Sequence, residues 1–304
     1  MTETSAGSVT TAHSYNSFGE PTEEVTRFDG TEVYANAYVR DSIGRITERT
    51  ERVNGVSTTF AYSYDGAGRL FEVRENGVLS AHYEYDGNGN RILRRTSAGD
   101  EVGAYDDQDR VLSYGGETFT HTANGEWLTR TSGTGQTTRY AYDSRGNLVR
   151  VELPDGHVIE YVVDGANRRV GRKLDGVLTH QWLWQGQLRP AAELDGAGNL
   201  VSVFVYGLHV NVPELILRGG RVYRVVTDQL GSVRMVVDTQ SGSVVQRMRY
   251  DEWGRVLEDT NPGWQPFGFA GGLWETRTGL VRFGARDYEP GVGRWIQKDP
   301  VVLS

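Results

Sequence analysis

The stretch FAYSYDGAGRL, residues 60–70, carries the signals that decide the fold. Phe60, Tyr62 and Tyr64 stand at alternate positions, the pattern of a β-strand with one apolar face. Asp65 can accept hydrogen bonds from backbone amides about two residues ahead, and glycine supplies positive φ, so the chain can turn there and return as a second strand. The unit therefore predicts a strand, a turn and a strand.

The same unit recurs along the chain. Tyr85-Asp86 follows Tyr64-Asp65 after 21 residues, and the elements at Tyr142-Asp143 and Val163-Asp164 are again 21 residues apart. More degenerate copies begin at Asp41, Tyr105, Asn124, Leu194 and Tyr250. One such unit cannot bury its own aromatic face, so we expect neighbouring hairpins to pair edge to edge into a continuous coiling sheet. The repeated aspartates are predicted to be architectural.

Composition supports an all-β class and excludes several functions. The 304 residues include 39 glycines, 16 tyrosines and 7 tryptophans, which favour turn-dense β-structure over helix. A net charge of −8 offers no basic surface for nucleic acid. Without cysteine, disulfides and thiolate zinc sites are excluded. No apolar run is long enough to span a bilayer, and the polar N-terminus, Met1 to Ser14, shows no signal peptide.

Rival sites have weaker support in the sequence. Calcium could bind repeated Asp-Gly loops, but the alternating oxygen ligands of an EF-hand are missing. The six histidines are dispersed without metal-ligand spacing, so we expect neither a metal nor another cofactor. Tryptophans can bind sugars, yet these lie in strand-like contexts where packing across strands is commoner. The tryptophans in question are Trp182, Trp184, Trp253, Trp264, Trp274 and Trp295.

From about Arg221 the repeat changes character. Its segments are Thr227 to Val233, Tyr250 to Val256, Glu275 to Leu280, and Phe283 to Pro300. In this order they resemble the Rhs-repeat-associated core that ends the shell of Rhs polymorphic toxins and of the Tc toxin C component. The resemblance is loose through the YD (Tyr-Asp) repeats and close over residues 221–300. We accordingly predict a YD-repeat sheet strip, 1–220, followed by a core segment, 221–304.

The resemblance implies a function. In that family the repeats spiral into a cocoon around a toxic C-terminal domain, and the core segment is an aspartyl autoprotease that releases it. The family motif falls on Arg286, Asp287 and Asp299, which are the predicted catalytic residues. Two neighbouring carboxylates share a proton, so one can activate water while the other protonates the scissile amide. Ordinary salt bridges are the structural alternative for these residues.

Several expectations about partners follow from the resemblance. The partners would be a C-terminal toxin cargo, absent from this chain, and the remaining shell segments or toxin-complex components. The protein would be secreted or delivered by a bacterial toxin export system. Because the chain ends at Ser304, shortly after Asp299, we expect the cleavage site to lie beyond it and this chain to be inactive.

Two other functions remain open from the sequence. The chain could be a cell-surface or adhesin-like YD-repeat scaffold that binds glycan or protein, as the related teneurin shell suggests. It could also be a hydrolase that uses the paired aspartates on an outside substrate. Glycan affinity would favour the scaffold, and multiple turnover on added peptide would favour the hydrolase.

Overall fold

The computed structural model describes residues 2–298, which group into two compact units with a division between residues 118 and 119. Both units are built from antiparallel strands, so the predicted all-β fold of paired hairpins is confirmed. The division between a strip, 1–220, and a core segment, 221–304, concerns sequence character and stays a prediction. Within residues 2–298 no helix is long and apolar enough to cross a membrane.

In the first unit each strand pairs with the next one along the chain. The strands are β1 (Thr2–Ala6), β2 (Val9–Tyr15), β3 (Pro21–Phe28), β4 (Thr31–Arg40), β5 (Ile46–Val53), β6 (Val56–Tyr64), β7 (Leu70–Glu75), β8 (Val78–Tyr85), β9 (Arg91–Thr96), β10 (Gly99–Tyr105), β11 (Val111–Tyr114) and β12 (Glu117–His121), and the last of these begins in the first unit and ends in the second. Chain neighbours are thus also neighbours in the sheet, as the repeat predicted.

The turns that follow the Tyr-Asp pairs are closed by aspartate side chains. Asp65 accepts hydrogen bonds from the backbone amides of Ala67 and Arg69, both at 2.9 Å, through Oδ1. Its Oδ2 accepts from Arg69 Nε at 2.7 Å. Gly68 supplies the left-handed conformation with φ +81°, which a residue with a Cβ adopts at a cost. The architectural role predicted for the repeated aspartates is confirmed.

A second kind of turn alternates with the first. Asn54-Gly55 and Asn76-Gly77 join consecutive strands through two residues that both have positive φ. Such turns match the right-handed twist of the flanking strands, and Asn-Gly favours them because both residues tolerate the left-handed region. From β4 to β9, aspartate-closed turns therefore alternate with two-residue turns.

The tyrosine of the Tyr-Asp pair connects one hairpin to the preceding one. Tyr64 Oη donates to the carbonyl of Ile46 at 2.6 Å, and Tyr85 Oη donates to the carbonyl of Leu70 at 2.8 Å. The guanidinium of Arg45 lies 4.4 Å from the centre of the Tyr64 ring. The motif thus combines a turn-closing aspartate with a tyrosine that ties successive repeats together.

The second unit continues the antiparallel pattern and adds a small separate sheet. From β13 to β25 each strand pairs with the next: β13 (Trp127–Thr131), β14 (Thr137–Tyr142), β15 (Leu148–Glu152), β16 (Val158–Val163), β17 (Arg169–Leu174), β18 (Val177–Gln185), β19 (Arg189–Asp195), β20 (Leu200–Val205), β21 (Leu215–Arg218), β22 (Arg221–Thr227), β23 (Val233–Asp238), β24 (Val244–Tyr250) and β25 (Val256–Asp259). One 3₁₀ turn, Phe269–Gly271, precedes the small sheet.

The small sheet consists of β26 (Leu273–Trp274), β27 (Val281–Phe283), β28 (Arg286–Glu289) and β29 (Arg294–Trp295). It lies in the segment that resembles the Rhs core. A buried apolar cluster joins β20 to β24 to Phe267 and Leu273 at the start of the small sheet. Its members are Phe204, Val212, Ile216, Val225, Val233, Val236, Met248, Tyr250, Phe267 and Leu273. This packing holds the start of the small sheet against β20 to β24.

Candidate functional site

Asp287 is the centre of the site that the sequence predicted. It lies on β28, opposite Arg282 of β27, and is 0% exposed. Successive side chains of a strand point to opposite faces, so Asp287 and Glu289 share the buried face while Arg286 lies on the other. A carboxylate buried this deeply requires charge compensation, which the surrounding strands supply.

Two arginines and a glutamine bind the Asp287 carboxylate. Arg282 Nη1 donates to Oδ2 at 2.7 Å, and Arg169 Nη2 donates to Oδ1 at 3.0 Å. Gln297 contributes through its side chain, with Nε2 3.4 Å from Oδ2 and Oε1 accepting from the Asp287 amide at 3.1 Å. Burial alone would raise the pKa of Asp287, but Arg169 and Arg282 hold that pKa below its ordinary value. Asp287 is therefore ionised at neutral pH.

The arginines are themselves fixed by the hairpin turns. Arg282 Nη2 donates to Asn147 Oδ1 at 3.2 Å and to the carbonyl of Asn167 at 3.1 Å. The guanidinium carbon of Arg169 lies over the ring of Tyr161, 3.4 Å from its centre. Asn147 and Asn167 belong to two aspartate-closed turns. The turns of the repeat strands thus form one wall of the Asp287 cluster.

A second buried ion pair and a backbone contact attach the core segment nearby. Arg172 donates to Glu275 through Nε at 2.6 Å and through Nη2 at 3.1 Å. The amide of Trp127 donates to the carbonyl of Ile296 at 2.9 Å, and the Ile296 amide donates to the carbonyl of Asp287 at 3.0 Å. The chain on both sides of Asp287 is consequently held in one position.

A model of the teneurin YD-shell family matches residues 1–303. The chain belongs to this family. Among curated proteins it is similar to Teneurin-3 of Danio rerio, with 28% identity over 85% of this chain and 10% of the relative. It is also similar to double-stranded DNA deaminase toxin A of Burkholderia cenocepacia, with 31% identity over 88% of this chain and 20% of the relative. This YD-shell chain spans only a tenth to a fifth of those relatives.

Solved structures with a similar chain include the complex TcdB2-TccC3-TEV. The match covers 96% of this YD-shell chain and 20% of the solved chain, with 13% identity and a TM-score of 0.41. A second structure, TcdB2-TccC3 without its hypervariable C-terminal region, gives 11% identity, a TM-score of 0.42 and coverage of 97% and 22%.

Of the three predicted residues, the structure describes Arg286 and Asp287. Asp287 is the buried carboxylate described above. The guanidinium of Arg286 lies 4.2 Å from the centre of the Trp295 ring, and the cations on Asp287 come from Arg169 and Arg282. Asp299 lies outside the described residues, 2–298. The catalytic assignment of Arg286, Asp287 and Asp299 stays a prediction.

Sequence reasoning missed Arg169, which lies 118 residues from Asp287 along the chain. The sequence did contain an indication that Arg169 is unusual. Arg169 occupies the position, five residues after the turn aspartate, where Leu70 and Leu148 stand in other copies of the repeat. A charged residue at an apolar position of a repeat indicates a specific buried partner. Among residues 2–298, no group of His, Asp and Glu side chains is arranged to hold a metal ion.

Proposed function

We propose that this chain forms part of a shell wall that encloses a polypeptide cargo, and that its core segment releases the cargo by aspartyl self-cleavage. Membership of the YD-shell family supports the proposal that the chain forms part of a shell wall. The observation that carries the cleavage step is the anchoring of Ile296 and Gln297 to Asp287 by hydrogen bonds. Asp299 follows Ile296 by three residues, which span at most about 10 Å. Asp299 can therefore reach the Asp287 cluster.

The charge state of Asp287 assigns the roles in this reaction. An ionised Asp287 would accept a proton from water as the water oxygen attacks the scissile carbonyl. A protonated Asp299 would give its proton to the departing amide nitrogen, so that the C–N bond breaks into a carboxylic acid and an amine. Arg169 and Arg282 would keep Asp287 ionised. Arg286, which lies on the opposite face of β28 against Trp295, would act only by fixing the position of that strand.

The test is self-cleavage of the full-length protein that contains this chain. Wild type, Asp287→Asn and Asp299→Asn are compared by gel and intact mass, with Asp155→Asn as a control because Asp155 is exposed in a hairpin turn. We expect cleavage in wild type and in the control and none in the other two variants. Circular dichroism identifies any variant that has failed to fold.

Asp299→Asn is the decisive variant, since it leaves the buried arginines with their partner. A folded Asp299→Asn protein that cleaves as fast as wild type would contradict the aspartyl mechanism. An intact wild-type polypeptide would contradict self-cleavage altogether. Either result would return Asp287 to a purely structural role.

A second candidate function is a wall segment in a cell-surface scaffold that binds glycan or protein. The family match to teneurins and the animal relatives favour it. The bacterial toxin relative favours the first candidate, with a toxin cargo and export from a bacterium. Protease protection of the segment after residue 304 separates the two functions, because only an enclosing shell would shield that segment.

A further inference from the structure

A cleft of about 130 Å³ opens in the second unit beside the Asp287 cluster. One wall is formed by β16 to β19 and the other by residues 263–276 of the core segment. Trp182, Trp274, Pro266 and Leu273 give the cleft its apolar surface. Since one water occupies about 10 to 15 Å³ on this measure, the cleft has room for a ligand of about ten non-hydrogen atoms.

Glu193 supplies a carboxyl to this cleft and is only 6% exposed. It lies on β19 directly opposite Trp182 of β18. The side chain makes no hydrogen bond to the described residues, and the nearest basic atom, His180 Nε2, is 3.9 Å away. A largely buried carboxyl that makes no hydrogen bond to protein has lost much of its hydration without an equivalent partner, which is costly.

The other charges that line the cleft are already paired. Arg172 is bound by Glu275 through two hydrogen bonds, and Arg169 is bound by Asp287. Glu193 is therefore the remaining carboxyl of the cleft wall, and no other group of that wall balances its charge. Burial raises the pKa of Glu193 to about 7, against the opposing positive charge of Arg218 on β21. Burial likewise lowers the pKa of His180, so that this imidazole is largely neutral at pH 7.

We infer that this cleft binds a protonated primary amine, from a free amine or a lysine side chain, with its ammonium group against Glu193. Trp182 and Trp274 provide aromatic surfaces that attract a cation. Pro266 and Leu273 provide apolar surface for the methylene chain. The inference concerns a ligand and does not rest on the proposed self-cleavage.

Binding should depend on pH in a defined direction. The ammonium ion requires the carboxylate form of Glu193, and the competent fraction rises about tenfold between pH 6 and pH 8 for a group that titrates near 7. His180 and Arg218 face Glu193 from β18 and β21 and oppose the cation when charged, and the Arg172–Glu275 pair adds no net charge. Since His180 becomes less charged as pH rises, it changes the affinity in the same direction.

The experiment is calorimetric titration of the whole chain with n-butylammonium, with n-butanol as the neutral probe of the same shape. An N-acetylated, amidated Gly-Lys-Gly peptide tests the lysine source. Each is titrated into wild type, Glu193→Gln and the control Glu160→Gln, whose carboxyl is partly exposed on β16 and paired with Arg150. We expect n-butylammonium to bind wild type and the control, with affinity about tenfold higher at pH 8 than at pH 6.

Glu193→Gln should lose at least about tenfold in affinity for n-butylammonium, because the neutral amide cannot balance the ammonium charge. Glutamine has the same shape, and a thermal melt verifies that the variant is folded. Binding of the peptide as well would assign the site to lysine side chains, whereas binding of n-butylammonium alone would assign it to free amines. Equal binding of n-butanol, unchanged binding by Glu193→Gln or no binding at all would overturn the inference.

Discussion

Asp65 and Asp287 both pair with arginine, yet their surroundings differ. Asp65 closes an edge turn of the first unit, where its partner Arg69 is a third exposed and where water screens the pair. Asp287 is fully buried in the second unit between Arg169 and Arg282, whose side chains are 3% and 1% exposed. The first aspartate serves mainly through hydrogen bonds to the backbone, whereas the second supplies one negative charge that two buried cations share.

Aspartates thus have two different roles in this repeat architecture, one in turns and one in buried ion pairs. The repeated turns can vary in sequence because each contributes a small, local stabilisation. The buried pairs of the second unit connect distant parts of the chain, so that the loss of one partner leaves a charge in an apolar environment. A turn aspartate serves the architecture, whereas the proposed self-cleavage would use the buried, ionised carboxylate of Asp287.

The largest effect is expected for Asp287→Asn. Two buried guanidinium groups would lose their counter-charge, which typically costs about 3 to 5 kcal/mol. Urea unfolding followed by tryptophan fluorescence reports on the second unit, since all seven tryptophans lie after residue 118. Asp155→Asn, at an exposed turn of the same unit, should leave the unfolding curve nearly unchanged. Equal stabilities of the two variants would remove the distinction between turn and buried aspartates.

Glu193→Gln should change the free energy of unfolding in the opposite direction, because it should stabilise the protein at high pH. The folded-state pKa of about 7 lies above the value of 4.5 expected for an exposed glutamate, so protonation favours the folded state. That stabilisation is complete below pH 4.5 and is lost as pH rises through about 7. The glutamine variant should therefore exceed wild type in stability at pH 8.5, by up to about 3 kcal/mol, and match it at pH 4. Urea unfolding at both pH values measures the difference, and a variant less stable at pH 8.5 would contradict it.

Tyr85→Phe tests the hydrogen bond that connects one hairpin to the preceding one. The variant removes the hydroxyl that donates to the carbonyl of Leu70, which should cost about 1 kcal/mol. Thermal unfolding followed by circular dichroism gives the change. Tyr15→Phe is the control, because the Tyr15 hydroxyl is exposed and has only a long contact of 3.5 Å with Thr2. If Tyr15→Phe lost as much stability as Tyr85→Phe, the hydrogen bond from Tyr85 to Leu70 would not be what stabilises the pairing of successive hairpins.

The smallest effect is expected for Asp65→Asn. The amide oxygen can still accept from the backbone amides of Ala67 and Arg69. The losses are the hydrogen bond from Arg69 Nε and the charge that pairs with Arg69, at a partly exposed site where water screens them. The melting temperature should change less than it does for Tyr85→Phe, and the remaining difference should shrink in high salt. A loss as large as that of Asp287→Asn would mean that the turns and the buried pairs are equivalent.

The sequence was sufficient to predict the repeated elements because their causes are local. The alternation of Phe60, Tyr62 and Tyr64 and the Asp-x-x-Gly turn act within a few residues of one another. The tie between Tyr64 and Ile46 escaped prediction, since it depends on which hairpins become neighbours. The alternation of the two kinds of turn could have been found, because Asn-Gly pairs are visible in the sequence.

The candidate site was only partly accessible to sequence reasoning. A resemblance identified Asp287, but spacing along the chain cannot show that Arg169 and Arg282 converge on it. Glu193 appeared as an ordinary strand residue, because its unusual character arises from burial opposite Trp182 and beneath the core segment. Such properties depend on tertiary packing and follow from no local pattern.

The most direct test of the account is the self-cleavage rate of the natural polypeptide as a function of pH. Because Arg169 and Arg282 hold the pKa of Asp287 below its ordinary value of 3.8, this carboxylate stays ionised from pH 7.5 down to 4.5. The rate should then hold or rise over that range, as a larger fraction of Asp299 becomes protonated. A rate that fell about tenfold between pH 7 and pH 5 would indicate a base that titrates near neutrality, such as histidine, and would contradict the role assigned to Asp287.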